Sequence, residues 1–423
     1  MNILLRSALI VDASSPHHLQ KRDILIQKGS IAKIAKNISA EKNTKVVESK
    51  NLCVSPGWVD MAAFLGDPGL EHKEDLKSGS QAASAGGFTT VCCLPNTKPA
   101  LHSKSEIEYV LTKSQPLVTN ILPIGALTTD CKGKDIAEIY DMNNSGAVAF
   151  SDGINTHVNA GMMLRSLMYV KPFNGLVYSF PDDASLSAGG QMNESISSSK
   201  FGMKGIPNLA EELIVQRDIH LSEYTNSRVH FAFVSTPEAI AHIKKAKSKG
   251  LKVTASVAPF SLLFTDESLE QYDTNLKVYP PLRSAKDKEA LIKALKDGTI
   301  DVIASHHSPH DTESKDLEFD LADFGMIGLE TAFAAVNTAL KGKLSVEEIV
   351  SKFSSNPRHI LNLPKATIAE GNSADITFFD SEVKWKFDKK HIRSKSKNTP
   401  FVGMEFIGKA LGIINKNQAV LNE

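Results

Sequence analysis

Asp75-Leu76-Lys77-Ser78-Gly79-Ser80-Gln81-Ala82-Ala83-Ser84-Ala85-Gly86-Gly87-Phe88-Thr89-Thr90-Val91-Cys92-Cys93-Leu94 sets the pattern that the middle of the chain repeats. Asp75–Ala85 has the periodicity of an amphipathic helix. Gly86-Gly87 interrupts it as a turn, with nothing around it to make a phosphate loop. Thr89–Leu94 is a short apolar, β-branched run of the kind buried on both faces of a parallel sheet. Similar runs follow at Ile121–Ile124, Gly146–Phe150, Leu176–Phe180, Val229–Val234, Lys252–Val257 and Asp301–Ala304, with helical patterns at Leu209–Tyr224, Pro237–Lys249 and Ala285–Asp297. Alternation of strand and helix over residues 55–365 predicts an α/β protein with a (β/α)8 TIM barrel, in which chemistry sits just past the C-terminal ends of the strands.

The flanks have a different texture. Residues 1–54 hold short strand runs at Asn2–Val11, Asp23–Ile26, Ser30–Ile34 and Lys45–Glu48, and residues 366–423 hold others at Ala374–Phe379 and Ala410–Ile414. The expectation is a small β-sandwich assembled from both termini.

Composition narrows the role. Lys+Arg and Asp+Glu are both 48, giving a net charge of zero, which argues against a nucleic-acid or anionic-membrane surface. No run approaches the ~20 apolar residues of a membrane span. Met1–Ile10 reads as a strand and lacks the features of a signal peptide, so a cytoplasmic location is expected. Cys53, Cys92, Cys93 and Cys131 form no disulfide framework and read as reduced core residues. The sequons at Asn143 and Asn193 are expected to stay unmodified. Ser78–Ser80 and Ser197–Ser199 have no triad partners visible in the sequence.

Ordered motifs run nearly the whole length: Gly86–Thr97 ending Leu94-Pro95-Asn96-Thr97, Ala210–Asp218, Thr274–Arg283, Gly328-Leu329-Glu330-Thr331, Gly371–Asp375 and Asn398-Thr399-Pro400-Phe401. In these the chain resembles the type I dihydroorotases of the cyclic amidohydrolase superfamily. That resemblance implies an amidohydrolase barrel, a place in pyrimidine biosynthesis, hydrolysis of a C–N bond in a cyclic amide, one or two zinc ions and a homodimer.

The resemblance also locates what is missing. The family's first strand reads Asp-x-His-x-His-x-Arg-x-Pro-Gly. Here Asp60 is followed by Ala62 and Phe64 at the two histidine positions and by Gly66 at the arginine that holds the substrate carboxylate. The carboxylate ligand corresponds to Asp152 in Ser151-Asp152-Gly153. The next two histidine ligands correspond to Phe180 and Phe233, and the final aspartate, ligand and general base, to His306. Alanine and phenylalanine offer a metal no lone pair. Converging rings read instead as hydrophobic packing where ions would sit, worth several kcal/mol. Asn96 keeps a family substrate position, Tyr279 replaces an asparagine, Val257–Ser261 replaces a Thr-Pro-His-His type loop, and His310 matches a residue near the substrate.

Zinc lowers the pKa of bound water from about 15.7 to about 7, on the order of 12 kcal/mol of activation, and one general base restores only about 10²–10⁴ in rate. His306 alone is therefore no substitute. The expectation is a catalytically inactive dihydroorotase-like protein without a cofactor, serving as a structural or regulatory partner of aspartate transcarbamoylase. The alternative is an active cyclic amidohydrolase with zinc rebuilt on Asp152, His306 and His310; adjacent His306 and His307 point to opposite faces and cannot share one ion easily. A third reading is a ligand sensor with a pocket around Asn96 and Tyr279.

Overall fold

The protein, described here by a computed structural model covering residues 2–156 and 159–422, is built around eight parallel strands. They are β1 (Trp58–Ala63), β2 (Phe88–Cys93), β3 (Asn120–Gly125), β4 (Ala149–Phe150), β5 (Leu176–Ser179), β6 (Arg228–Phe231), β7 (Val253–Val257) and β8 (Val302–Ile303). Each pairs with its sequence neighbour. The ring closes just beyond β8: Ala63 forms a parallel bridge with His307, and Phe64 N–H donates to the His307 carbonyl at 2.9 Å. Asp60 reinforces the seam by accepting from Ser305 N–H and Ser305 Oγ, both at 2.7 Å.

Local chemistry explains the repeat. The helix Leu76–Gly86 starts at Asp75, whose carboxylate accepts from Ser78 N–H at 2.8 Å while Ser78 Oγ accepts from Asp75 N–H. It stops at Gly87, held at φ 92°, where a Cβ would come within 2.8 Å of the Trp58 ring. The run Gly146–Phe150 yields only a two-residue strand. Gly146, at φ 107°, closes the preceding helix Ile139–Asn144, and Ala147 N–H donates back to Met142. All four cysteines are buried and unbridged. Asn193 is also buried, donating to Asp266 at 2.9 Å and accepting from Arg283 at 2.9 Å, so its side chain is not presented as a glycan acceptor.

The two ends of the chain form one eight-stranded hydrogen-bonded sheet rather than two separate layers. Its order is Gln418–Leu421, Glu405–Asn415, Ile376–Lys386, Leu52–Pro56, Asn2–Ile10, Lys21–Gln27 and Ser30–Ala35, with Lys45–Val47 also paired to Asn2–Ile10. The expected sandwich is this single sheet curled on itself. Its far edge meets the segment entering Ile376–Lys386, where Ile31 N–H donates to Asn372 and Ala374 N–H to Gly29, both at 2.8 Å. Bulges in its strands supply curvature, and the inside is filled by Ile3, Leu5, Ile24, Ile31, Phe378 and Ile414.

Candidate functional site

The C-terminal ends of the barrel strands carry the positions singled out in the sequence. Ala62 is buried on β1. Phe180, Phe233, Phe260 and His306 lie just past β5, β6, β7 and β8. The four rings form one cluster. Phe233 lies 4.0 Å from His306 between centroids, Phe260 5.5 Å and Phe180 5.9 Å, and Phe180 meets Phe233 edge-on at 5.7 Å. These spacings suit aromatic packing. Burial holds the His306 imidazolium down to a pKa of about 4, against the smaller opposing pull of its own carbonyl and that of Tyr279. His306 is therefore a neutral ring in a hydrophobic floor. Its Nε2 has no hydrogen-bond partner.

Asp152, buried past β4, is turned to the β3 loop. One oxygen accepts from Leu127 N–H and Thr128 N–H, both at 2.9 Å, and the other from Thr128 Oγ. His307 points away from His306. Its Nε2 meets Glu74 at 3.2 Å and its Nδ1 accepts from Gly328 N–H at 3.2 Å, which fixes the proton on Nε2. Glu74 is buried, yet its bonds to His307, Ser394 and Ser78 outweigh desolvation and hold it below the usual carboxylate range. The expected alternative centre of Asp152, His306 and His310 does not form. Among the described residues, no three His, Cys, Asp or Glu side chains are placed to hold a metal ion. A zinc ion does not fit this donor set.

Hydrophobic packing fills the floor but not the whole mouth. Above the aromatic cluster a cavity of about 560 Å³ remains, lined by Phe64, Asn96, Tyr279, His306, His310 and Phe324 among others. Asn96 Nδ2 donates to the Asp152 carbonyl at 3.0 Å, leaving its buried Oδ1 without a partner. Tyr279 sits 6.5 Å from Phe180 in a stacked arrangement, and burial with the adjacent Asp182 raises its phenol far above the usual value. His310 Nδ1 accepts from Lys73 Nζ at 3.2 Å and its Nε2 donates to the Phe324 carbonyl at 3.0 Å; burial, with Lys73 alongside, lowers its pKa to about 4. Gly66 adopts φ 64° beside the same cavity.

Sequence reasoning did not find Lys73, Asp182, Asp323 or Phe324, which also line the mouth. They lie on loops, and no periodicity or motif marks them. Lys73 Nζ stands 3.6 Å from Asp323, a pairing across 250 residues that only the closed barrel creates.

Residues 51–239 match the profile of the family described as "Dihydro-orotase-like". The chain is 40% identical over 423 residues to a protein named dihydroorotase from Pelobacter propionicus, covering 99% of each, and 43% identical over 405 residues to one from Pelotomaculum thermopropionicum, covering 95% of this chain and 94% of that one. The structure is similar to an L-hydantoinase (dihydropyrimidinase) from Arthrobacter aurescens, with a TM-score of 0.84 and 23% identity over 100% of this chain and 96% of the other. By full-length similarity to its relatives, the chain belongs to the dihydroorotase-like family and is built on the cyclic amidohydrolase fold.

Proposed function

We propose that this member of the family works in pyrimidine biosynthesis without hydrolysing a cyclic amide, as a structural or regulatory partner of aspartate transcarbamoylase and as a homodimer. The supporting observation is the make-up of the barrel floor. Positions that in the family would grip an ion are Ala62, Phe64, Phe180 and Phe233, and the remaining His306 packs among rings with Asp152 bonded to the β3 loop. Among the described residues, a water molecule there meets no group of metal-holding side chains able to lower its pKa. The rest of the fold, including the seam between β1 and β8, is fully built. A binding role needs that scaffold and not the ligands.

The test has two arms. Purified protein supplied with zinc is assayed with dihydroorotate and with carbamoyl aspartate. The expected result is no turnover above background and substoichiometric zinc by elemental analysis. Affinity purification from the native source is expected to bring down aspartate transcarbamoylase. Near-stoichiometric zinc together with turnover would instead establish the alternative, an active amidohydrolase with a remodelled site.

A further inference from the structure

A strip that leaves the terminal sheet and runs back along the barrel carries a concentrated positive charge. Between Lys384 and Lys397 the chain holds seven lysines and arginines and one carboxylate, Asp388. Lys384, Lys386, Lys389, Lys390 and Arg393 are exposed, and among the described residues none of them has a carboxylate within 4.0 Å. Several lysines on other faces find local partners: Lys132 with Asp130 at 2.8 Å, Lys200 with Glu270 at 3.2 Å, Lys249 with Glu223 at 3.4 Å and Lys343 with Glu289 at 3.1 Å. Acids that balance the strip in the overall count lie apart from it. Glu313, Asp316, Glu318 and Asp320 are exposed and, among the described residues, equally unmatched.

The charges stand on a fixed frame. Exposed Arg393, Lys395 and Lys397 alternate with buried Ser394 and Ser396. Glu330 accepts from Arg393 N–H at 3.1 Å and from Ser394 N–H at 2.9 Å, and Glu74 accepts from Lys395 N–H at 3.1 Å. Asp388 N–H donates to His391 Nδ1 at 2.9 Å, which holds the turn bearing Lys389 and Lys390. Neighbouring groups feel the field. Burial first, then Lys409 and Lys390, holds His391 below its ordinary value, and burial, then Lys390, lowers Lys409. An anion laid along the strip relieves that repulsion and meets cations that no internal carboxylate occupies.

The surroundings narrow the class of anion. Bases of a single-stranded nucleic acid need free rings to stack on. Trp385 is covered by Lys409 at 5.2 Å and flanked edge-on by His391 at 5.1 Å and Phe387 at 5.9 Å. Phe387 and Ile392 are buried, so neither is free to enter a lipid surface. We infer that this strip docks an acidic polypeptide segment of a partner chain, whose aspartates and glutamates pair with Lys384, Lys386, Lys389, Lys390 and Arg393. The inference is independent of the function proposed above, since it needs neither an inactive mouth nor a particular enzyme as partner.

Binding of the full chain to a labelled oligoglutamate peptide tests it, measured against single-stranded DNA of equal charge, phosphatidylserine vesicles and an oligoglutamine peptide. The acidic peptide is expected to bind more tightly than each comparator and to weaken about tenfold between about 50 mM and about 200 mM salt. Lys386→Gln, Lys389→Gln, Lys390→Gln and Arg393→Gln together should weaken binding about tenfold with an unchanged thermal midpoint, whereas Lys132→Gln, Lys200→Gln, Lys249→Gln and Lys343→Gln together should change it less than about twofold. No binding of oligoglutamate at millimolar concentration, equal losses from the two quadruple variants, or tighter binding of the DNA or the vesicles would overturn the inference. So would salt-sensitive self-association in sedimentation that the strip variant abolishes, because the strip would then serve the acidic run of a second copy.

Discussion

Gly66 shows how backbone geometry limits what one position can hold. It adopts φ 64°, and a Cβ there would lie 2.5 Å from the Glu74 carbonyl oxygen and 2.7 Å from that of Leu70. Gly66→Arg is therefore expected to destabilise the protein by about 1–3 kcal/mol and to confer no dihydroorotate binding. Chemical denaturation and calorimetry check the two halves, and a stable variant that binds dihydroorotate would refute the prediction. His230 and Asp60 oppose each other in a second residue-scale test. His230 is buried inside the barrel, its Nδ1 within 2.9 Å of Thr254 Oγ; burial first, then Lys247 and Arg228, lowers its pKa to about 3. Its folded value lies below the unfolded one, so its contribution is complete above about pH 6.5 and is lost as pH falls toward 3, about 3 kcal/mol by pH 4. Burial raises Asp60 to about 6 despite its bonds to Ser305, so its contribution has the opposite sign. It is complete below about pH 3.8 and lost as pH rises through 6. The two offset each other in the wild type. Stability curves measured from pH 7 to pH 4 should fall less steeply for His230→Leu than for the wild type; an equal or steeper fall would show that His230 is not the acid-sensitive group.

At the scale of elements, the segment after β8 is held over the mouth by buried ammonium groups. Lys277 Nζ donates to the carbonyls of Phe319 at 2.7 Å and Asp320 at 3.1 Å and lies 4.7 Å from the Phe324 ring centre. Lys315 Nζ donates to the carbonyls of Asp323 at 2.6 Å and Gly325 at 3.1 Å. Asn398 adds bonds to Ser308 and Gly325. A loop's carbonyls need partners, and here side chains supply them where no sheet does. Lys277→Met should leave two of them unsatisfied, cost about 2–4 kcal/mol and speed hydrogen exchange across residues 316–327. Unchanged exchange there would show the loop to be held by other contacts. None of this was legible in the sequence, where Lys277 is one lysine among many. The barrel elements were legible, because a strand buried on both faces must be apolar and a helix against it must be amphipathic. The exceptions are informative: Asp301–Ala304 contracts to two residues, and the short paired strands Met192–Asn193 and Gly205–Ile206 were not anticipated, being too short to show a period. Phe180, Phe233 and His306 could be singled out because a motif supplied their register, and the structure brings their rings together. Lys73 and Asp323 could not, because they meet only through the tertiary fold.

The whole molecule behaves as one body at the end of the barrel opposite the mouth. Trp58, the first residue of β1, packs against Phe88, Phe333, Phe353 and Phe379, the last of these belonging to the terminal sheet and 5.2 Å away. Arg358 ties the same junction, donating to the Gly57 carbonyl at 3.0 Å and to Asp375 at 2.7 Å. Sheet and barrel therefore share a core, and the mouth is the part of the molecule whose stability depends on what fills it. Where an ion fills such a place, folding is linked to that ion: zinc at 100 times its dissociation constant adds about 2.7 kcal/mol, or about 3 °C in the thermal midpoint of a chain this long. Here Phe180, Phe233, Phe260 and His306 fill the floor by packing with one another. Removing metal with a chelator, or adding zinc at about 100 μM, is expected to leave the midpoint unchanged within about 1 °C, well under the linkage shift. Replacing packing should matter far more. Phe233→Ala would open a void beneath the cavity and cost about 3–5 kcal/mol, lowering the midpoint by several degrees. A zinc-dependent rise of about 3 °C, matched by stoichiometric bound zinc, would mean that the floor rearranges into a ligand set and that packing is not what holds the mouth together.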